Sequence, residues 1–392
     1  MWTVVSSFRN LRELGRAALV AFATFPLLAW STPRVQEGFA DLPSGRSLYF
    51  SYKAPLNNSP TLVLLNGLDH DTESWRGVLR KIERSNEEVG ILSYDMSGMG
   101  KTLQREILRS TISLKTFNGL PPIPYEEQTE DLEALIKSLN LHGEIILVGL
   151  SYGSAIAMDF LAKYPNMARS AVLASPYLAP LPQQDSVIRQ EVRMVRQVPA
   201  NPLNALTDDQ LYDLFLIPMV SIYPIFEPIL AQDPWKIPGV YRMVQGARSF
   251  SALATARRLR PGSVHVLWAA RDQYLARDQV INFRRGARNT FASESILKDV
   301  HHNMVRQVPE YLAYFLLKII SDNQITNGER ISVSPYEGYA QVGAQRWEFQ
   351  ADSKSLLDHI YLSTFETFFS PITWRLLEGN GDDCNNHLLE KY

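Results

Sequence analysis

The chain has 392 residues, 45% of them apolar, with 39 basic and 41 acidic side chains and a formal net charge of −2. That size and balance allow one large domain with insertions or two smaller ones, exclude global disorder, and offer no basic face for nucleic acid. The single cysteine, Cys384, excludes an intrachain disulfide and a cysteine-rich metal site.

The N-terminal stretch carries Arg9, Arg12 and Arg16 and then AALVAFATFPLLAW, fourteen residues without a charge. This run is short for a membrane helix, which needs about 20 residues, and fits the apolar region of a secretory signal peptide. Ala29-Trp30-Ser31 supplies small residues around a cleavage point after Ser31. Residues 1–31 are therefore expected to be a signal peptide or an N-terminal anchor. The chain would then be exported (periplasmic or secreted) or held at a membrane through this segment. The alternative is a cytoplasmic protein whose leader helix packs on the domain.

From Ser47 onward, apolar runs alternate with amphipathic stretches. SLYFSY (Ser47–Tyr52), TLVLLNG (Thr61–Gly67), VGILSYD (Val89–Asp95), EIILVGL (Glu144–Leu150), SAVLAS (Ser170–Ser175) and SVHVLWAA (Ser263–Ala270) read as strands. Most are short continuous runs bounded by turn residues, the pattern of strands buried on both faces. YEEQTEDLEALIKSLN and GSAIAMDFLAKYP have helical spacing, and the first is acidic at its start with Lys137 near its end, as the helix dipole favours. The alternation predicts an α/β fold with a mostly parallel sheet between helices, its core in residues 40–177 and 262–322. Between them, residues 178–261 are rich in proline around helical pieces and read as a helical insertion. Residues 323–392 form a C-terminal extension with one alternating stretch, RWEFQ, and one aromatic stretch, HIYLSTFETFFSPITW.

Two short motifs compete for the chemistry. ILSYDMSGMGKT ends in Gly100-Lys101-Thr102, as a phosphate-binding loop does, but the position that should hold its opening glycine is Asp95. A carboxylate there would repel the phosphate that backbone N–H groups must cradle. The second motif is Gly149-Leu150-Ser151-Tyr152-Gly153, a G-x-S-x-G sequence entered by an apolar strand and left by an alanine-rich helix. That is the strand–turn–helix context of a nucleophile elbow, in which the flanking positions have room for little beyond hydrogen. Ser151 would present its hydroxyl above the sheet. The competing reading is a serine that caps a helix after a buried strand.

With these motifs in order, the chain resembles the α/β-hydrolase superfamily from about Leu48 to Leu317. TLVLLNGLDHDTESW resembles that family's oxyanion strand and loop, and SYDMSGMGKT resembles the turn after its next strand. The resemblance implies an α/β-hydrolase fold with a helical cap at 178–261 and a Ser-His-Asp triad in that chain order. VHHNMVRQVPEYL resembles the closing motif, in which the histidine lies about seven residues before the proline; this points to His302, with His301 in the place of the usual glycine. His301 remains the alternative. The base needs a carboxylate to hold one tautomer. Asp272, just past the SVHVLWAA strand, stands where the family carries its acid, and Asp278 is the alternative. The oxyanion donors implied are the N–H groups of Tyr152 and Leu68, with Asn66 replacing the family's usual histidine. Asp69-His70-Asp71 lacks an assignable third ligand, so neither a metal nor a cofactor is expected.

A serine at the elbow implies acyl transfer, from an ester, thioester, lactone or amide to the serine and then to water. The expected function is hydrolysis of a carboxylic ester through an acyl-serine. Apolar pieces such as LYDLFLIPMVSIYPIF would line a pocket for a small apolar acyl substrate. The alternatives are an aminopeptidase of the proline-iminopeptidase type and a non-catalytic binding protein of this fold.

Overall fold

Five of the short apolar runs, buried along almost their whole length, form the middle of one sheet. The computed structural model describes residues 35–321 except 69, 87, 110–120, 181–188, 190–191, 194, 198–201, 213–235, 270–271, 273–274, 276, 299 and 301; it also describes the segments 330–334, 339–342 and 345–348. The strands are β1 (Val35–Asp41), β2 (Ser47–Lys53), β3 (Thr61–Leu65), β4 (Gly90–Tyr94), β5 (Ile145–Leu150), β6 (Ser170–Ala174), β7 (Val264–Ala269), β8 (Phe291–Lys298), β9 (Arg330–Ser334), β10 (Tyr339–Val342) and β11 (Gln345–Glu348). Their spatial order is β1-β2-β4-β3-β5-β6-β7-β8-β9-β10-β11. All neighbours from β4 to β9 run parallel, whereas β1, β2, β10 and β11 pair antiparallel at the two ends. The fold is therefore α/β with a mostly parallel sheet.

Side chains on alternate strand positions enter two separate cores. Val63 and Leu65 of β3 join Leu147, Leu173 and Val266 on one face. Leu62 and Leu64 join Ile146, Val148, Val172 and Leu267 on the other. The first face is covered by α3 (Tyr125–Ser138) and α4 (Tyr152–Lys163), through Leu132, Leu135, Ile156 and Phe160. The second is covered by α1 (Arg76–Ser85) and α9 (Pro309–Ile320), through Val78, Ile82, Leu312 and Phe315. A proline at its first turn, Glu310 beside it and Lys318 in the last turn give α9 a start and a polarity that its sequence alone dictates. Between these elements lie α2 (Gly100–Arg109), α5 (Lys236–Gly246), α6 (Ala252–Ala256), α7 (Arg277–Gly286) and α8 (Met304–Gln307).

The end of the proline-rich insertion sits directly on the sheet's first face. Met243, Ala247, Phe250, Ala252 and Ala256 are buried with the residues of α4. The Ile123 N–H donates to the Arg242 carbonyl at 3.0 Å, and Arg242 Nε donates to the Pro121 carbonyl at 2.9 Å. Residues 213–235, which include most of LYDLFLIPMVSIYPIF, lie outside the described residues, as do residues 1–31 and the aromatic stretch 359–374. No helix among the described residues is long and apolar enough to cross a membrane.

This topology decides where a ligand can bind. The chain leaves β3 towards β4 on one side and returns to β5 on the other. The loops after β3 and β5 thus diverge at a switch point, and in open α/β sheets the crevice outside the carboxyl ends of such strands is the binding site.

Candidate active site

The turn between β5 and α4 is strained at one residue. Ser151 has φ +50° and ψ −116°, a conformation that side chains with a Cβ rarely adopt. Three main-chain bonds hold it there. Its N–H donates to the Ala174 carbonyl at 2.9 Å, and its carbonyl accepts from the N–H groups of Ser154 at 2.8 Å and Tyr177 at 3.1 Å. The flanking glycines are steric requirements. A Cβ on Gly149 would lie 2.5 Å from the Ser154 nitrogen, and one on Gly153 would fall on the Leu65 carbonyl oxygen. The G-x-S-x-G spacing thus lets β5, α4 and the end of β3 meet with no side chain between them.

The β3 loop stands against this turn. A Cβ placed on Gly67 would be 3.3 Å from the Ser151 Cβ. Leu68 and Tyr152 are each the next residue after one of these two contacting positions. Leu68 is half-buried in a turn, and Tyr152 is fully buried as the first residue of α4, where N–H groups lack intrahelical partners. Burial pushes the Tyr152 phenol well above its ordinary range, so the side chain packs as a neutral ring.

His302 Nδ1 is 2.7 Å from Asp272 Oδ2, with the two side chains 12% and 3% exposed. With Nδ1–H donating to the carboxylate, Nε2 carries the ring's lone pair and is the nitrogen able to accept a proton. Asp272 follows β7, its N–H bonded to the Ala269 carbonyl at 3.3 Å, and His302 follows β8, so neighbouring strands deliver the pair. Asp278 is a residue of α7, and His301 lies outside the described residues. His265 is in β7, where Nδ1 meets Ser293 Oγ at 2.8 Å and the ring edge packs on Phe315. Of the Asp69-His70-Asp71 triplet, Asp69 lies outside the described residues, and Asp71 caps the one-turn helix Thr72–Trp75 by accepting from the Glu73 N–H at 3.1 Å.

The GKT stretch is occupied by its own chain. The Asp95 carboxylate, fully buried, accepts from the N–H groups of Thr72 and Lys101, both at 2.8 Å, and fills the space beside Gly100. Thr102 is buried and donates to the Asp95 carbonyl, while Lys101 Nζ lies over the Tyr49 ring, 3.9 Å from its centre. The loop encloses a carboxylate where a phosphate loop would enclose a phosphate. Two residues that sequence reasoning missed complete the surroundings. Trp75 Nε1 donates to Asn66 Oδ1, and the Tyr177 N–H donates to the Ser151 carbonyl.

Burial gives this region opposed responses to acid. It pushes the Asp95 carboxyl up to about 6, against the pull of the Lys101 and Thr72 N–H groups, and it pushes His265 down to about 4. Between roughly pH 4 and 6 folded Asp95 keeps a proton that the unfolded chain has released, so acidification through this window stabilises the fold. Between about pH 6.5 and 4 folded His265 stays neutral while the unfolded chain takes up a proton, so acidification destabilises it. Each effect amounts to at most about 3 kcal/mol, and the two nearly cancel. Relative to the parent, His265→Gln is expected to gain stability from pH 7 to 4.5 and Asp95→Asn to lose it, as read from urea midpoints. Parallel slopes in all three proteins would contradict the assignment.

The sequence profile of the alpha/beta hydrolase family matches residues 62–313, more than half of the chain. This protein belongs to that family. Among solved structures, this alpha/beta hydrolase is similar to MGS-M2, an alpha/beta hydrolase enzyme from a Medee basin deep-sea metagenome library, with a TM-score of 0.52 and 17% identity over 74% of this chain and 100% of the other. It is also similar to an esterase from Exiguobacterium antarcticum, with a TM-score of 0.50 and 12% identity over 73% of this chain and 100% of the other. At these identities the likeness concerns the fold. Among curated proteins it is similar to a proline iminopeptidase of Saccharolobus solfataricus, 24% identical over 165 residues, which are 42% of this chain and 47% of the relative. A proline iminopeptidase of Heyndrickxia coagulans is 27% identical over 150 residues, 38% of this chain and 46% of the relative. The chain thus spans about half the length of the curated relatives it matches.

Proposed function

We propose that this alpha/beta hydrolase is a serine hydrolase that cleaves a carboxylic ester through an acyl-Ser151 intermediate. The observation that carries the reading is the strained turn that holds Ser151 at φ +50° at the carboxyl end of a central strand. Such strain persists only where surrounding structure enforces it, and it concentrates at functional sites. The buried His302–Asp272 pair supplies the remaining chemistry. His302 Nε2 takes the Ser151 hydroxyl proton as Oγ bonds to the ester carbonyl carbon, and the main-chain N–H groups of Leu68 and Tyr152 receive the oxyanion. Collapse expels the alcohol, which leaves with the proton from His302. Water, deprotonated by the same nitrogen, then releases the acid and restores the serine. Asp272 holds the Nδ1–H and stabilises the imidazolium.

An apolar acyl group suits the surroundings. The Tyr177 ring lies between those of Tyr152 and Phe250, at centre-to-centre distances of 6.4 and 5.9 Å, and Leu211 and Tyr212 from the insertion are buried. The names of the two curated relatives favour one second reading, an aminopeptidase of the proline-iminopeptidase type.

A fluorophosphonate probe followed by a substrate panel tests all of this. We expect a covalent adduct on Ser151, and turnover of p-nitrophenyl esters that depends on chain length and exceeds turnover of aminoacyl anilides. Faster hydrolysis of a prolyl anilide would favour the peptidase. A folded protein with no adduct would favour a non-catalytic binding role.

A further inference from the structure

We propose that the Asn66 side-chain amide, with Trp75 as its partner, positions the oxyanion loop. Asn66 comes directly after β3 and is 1% exposed; Trp75 ends the one-turn helix that closes the same loop and is fully buried. Asn66 Nδ2 donates to the Tyr94 carbonyl at 2.9 Å, and Asn66 Oδ1 accepts from Trp75 Nε1 at 2.7 Å. One planar amide therefore ties the start of the loop to its end and to the neighbouring strand β4. Leu68 lies inside the span that the tie closes. The Thr72 N–H bond to Asp95 pins the middle of the span to the turn after β4, and the His70 N–H bond to the Gly67 carbonyl, at 3.1 Å, tightens its tip.

The chemistry of the partners makes the choice of residue specific. A carbonyl oxygen only accepts and an indole N–H only donates, so position 66 must present one donor and one acceptor in a fixed orientation. Aspartate has the same shape but would aim an acceptor at the Tyr94 carbonyl, and leucine would leave both buried partners unsatisfied. An oxyanion donor contributes to rate only when it is already aimed at the developing charge, so slack in this loop should appear in the chemical step. Neither Asn66 nor Trp75 needs to touch the substrate. Both act through the main chain of Leu68.

The inference rests on the serine-hydrolase reading, and the experiment separates the two. Asn66→Asp, Trp75→Phe and the double variant are compared with the parent for kcat and KM on a p-nitrophenyl ester. Affinity for an alkyl boronic acid, which forms a tetrahedral adduct on the serine, and amide hydrogen exchange over residues 66–75 are measured alongside. We expect kcat to fall ~10- to 100-fold, short of the ~10²–10³ cost of losing a donor outright, with KM nearly unchanged. Boronic acid affinity should fall by the same factor, exchange in the loop should quicken, and the double variant should be little worse than Asn66→Asp alone. A purely structural role would lower the melting temperature without this split between kcat and KM. An active parent whose variants keep kcat and boronic acid affinity overturns the positioning role alone. A parent that neither turns over esters nor reacts with a fluorophosphonate overturns the hydrolase reading, and the oxyanion role with it.

Discussion

Ser151→Ala is expected to lower ester turnover by on the order of 10⁶-fold, and Ser151→Gly by the same factor, while only the glycine variant melts higher than the parent. The first expectation follows from the reaction, because without Oγ no acyl intermediate forms and only binding and the oxyanion donors remain. The second follows from the backbone. At φ +50° and ψ −116° any residue with a Cβ is strained by about 1–3 kcal/mol, and alanine keeps the Cβ. Glycine has none and occupies positive φ freely. The alanine variant should therefore melt close to the parent and the glycine variant a few degrees higher, as read by calorimetry beside kcat/KM. Retained turnover in Ser151→Ala would remove the nucleophile assignment. A glycine variant no more stable than the alanine variant would show that the turn is relaxed, and the main support for the proposed function would go with it.

How far these features were legible in the sequence depended on how local their causes are. The central strands could be read to within a residue or two, since burial on both faces leaves an unbroken apolar run, as in TLVLL and IILVG. VQEGFAD gave no such signal, because β1 is a mostly exposed strand at the sheet's end, stabilised by antiparallel pairing with β2. The tail showed a single alternating stretch. Three strands there continue the sheet beyond β8: β10 pairs with its chain neighbours β9 and β11, whereas β9 joins β8 across more than 30 residues, a pairing that periodicity alone does not reveal. At the site, G-x-S-x-G was legible because a tight turn excludes side chains locally. The His302–Asp272 pair was legible only through a family pattern, since nothing in the sequence between two positions 30 apart states that two neighbouring strands end side by side. Asn66 was legible as the residue in the place of the family's histidine, but its pairing with Trp75 was opaque: which donor reaches which acceptor depends on the path of a loop, not on residue types.

Asp272→Asn is the sharper test of that pair. The two side chains have nearly the same shape, and the position is almost fully buried, so packing should survive. The change is electrical. A carboxylate accepts the Nδ1–H and leaves Nε2 free to take the serine proton, whereas an amide can offer its own N–H to Nδ1, placing the ring proton on Nε2. The base then points a hydrogen at the hydroxyl it should deprotonate, and the imidazolium formed on attack loses its counter-charge. We expect kcat to fall about 10⁴-fold with a near-parental melting temperature, and fluorophosphonate labelling to slow in parallel. Asp278→Asn, made beside it, should stay within about twofold, the ordinary range for a substitution that breaks no catalytic contact. Because serine, histidine and aspartate act as one unit, the Ser151→Ala, Asp272→Asn double variant should be no slower than Ser151→Ala alone. Multiplying losses would mean that Asp272 contributes independently of the serine, as a structural or binding residue. A large loss in Asp278→Asn with Asp272→Asn active would move the acid from Asp272 to Asp278 and leave the 2.7 Å contact without a catalytic role.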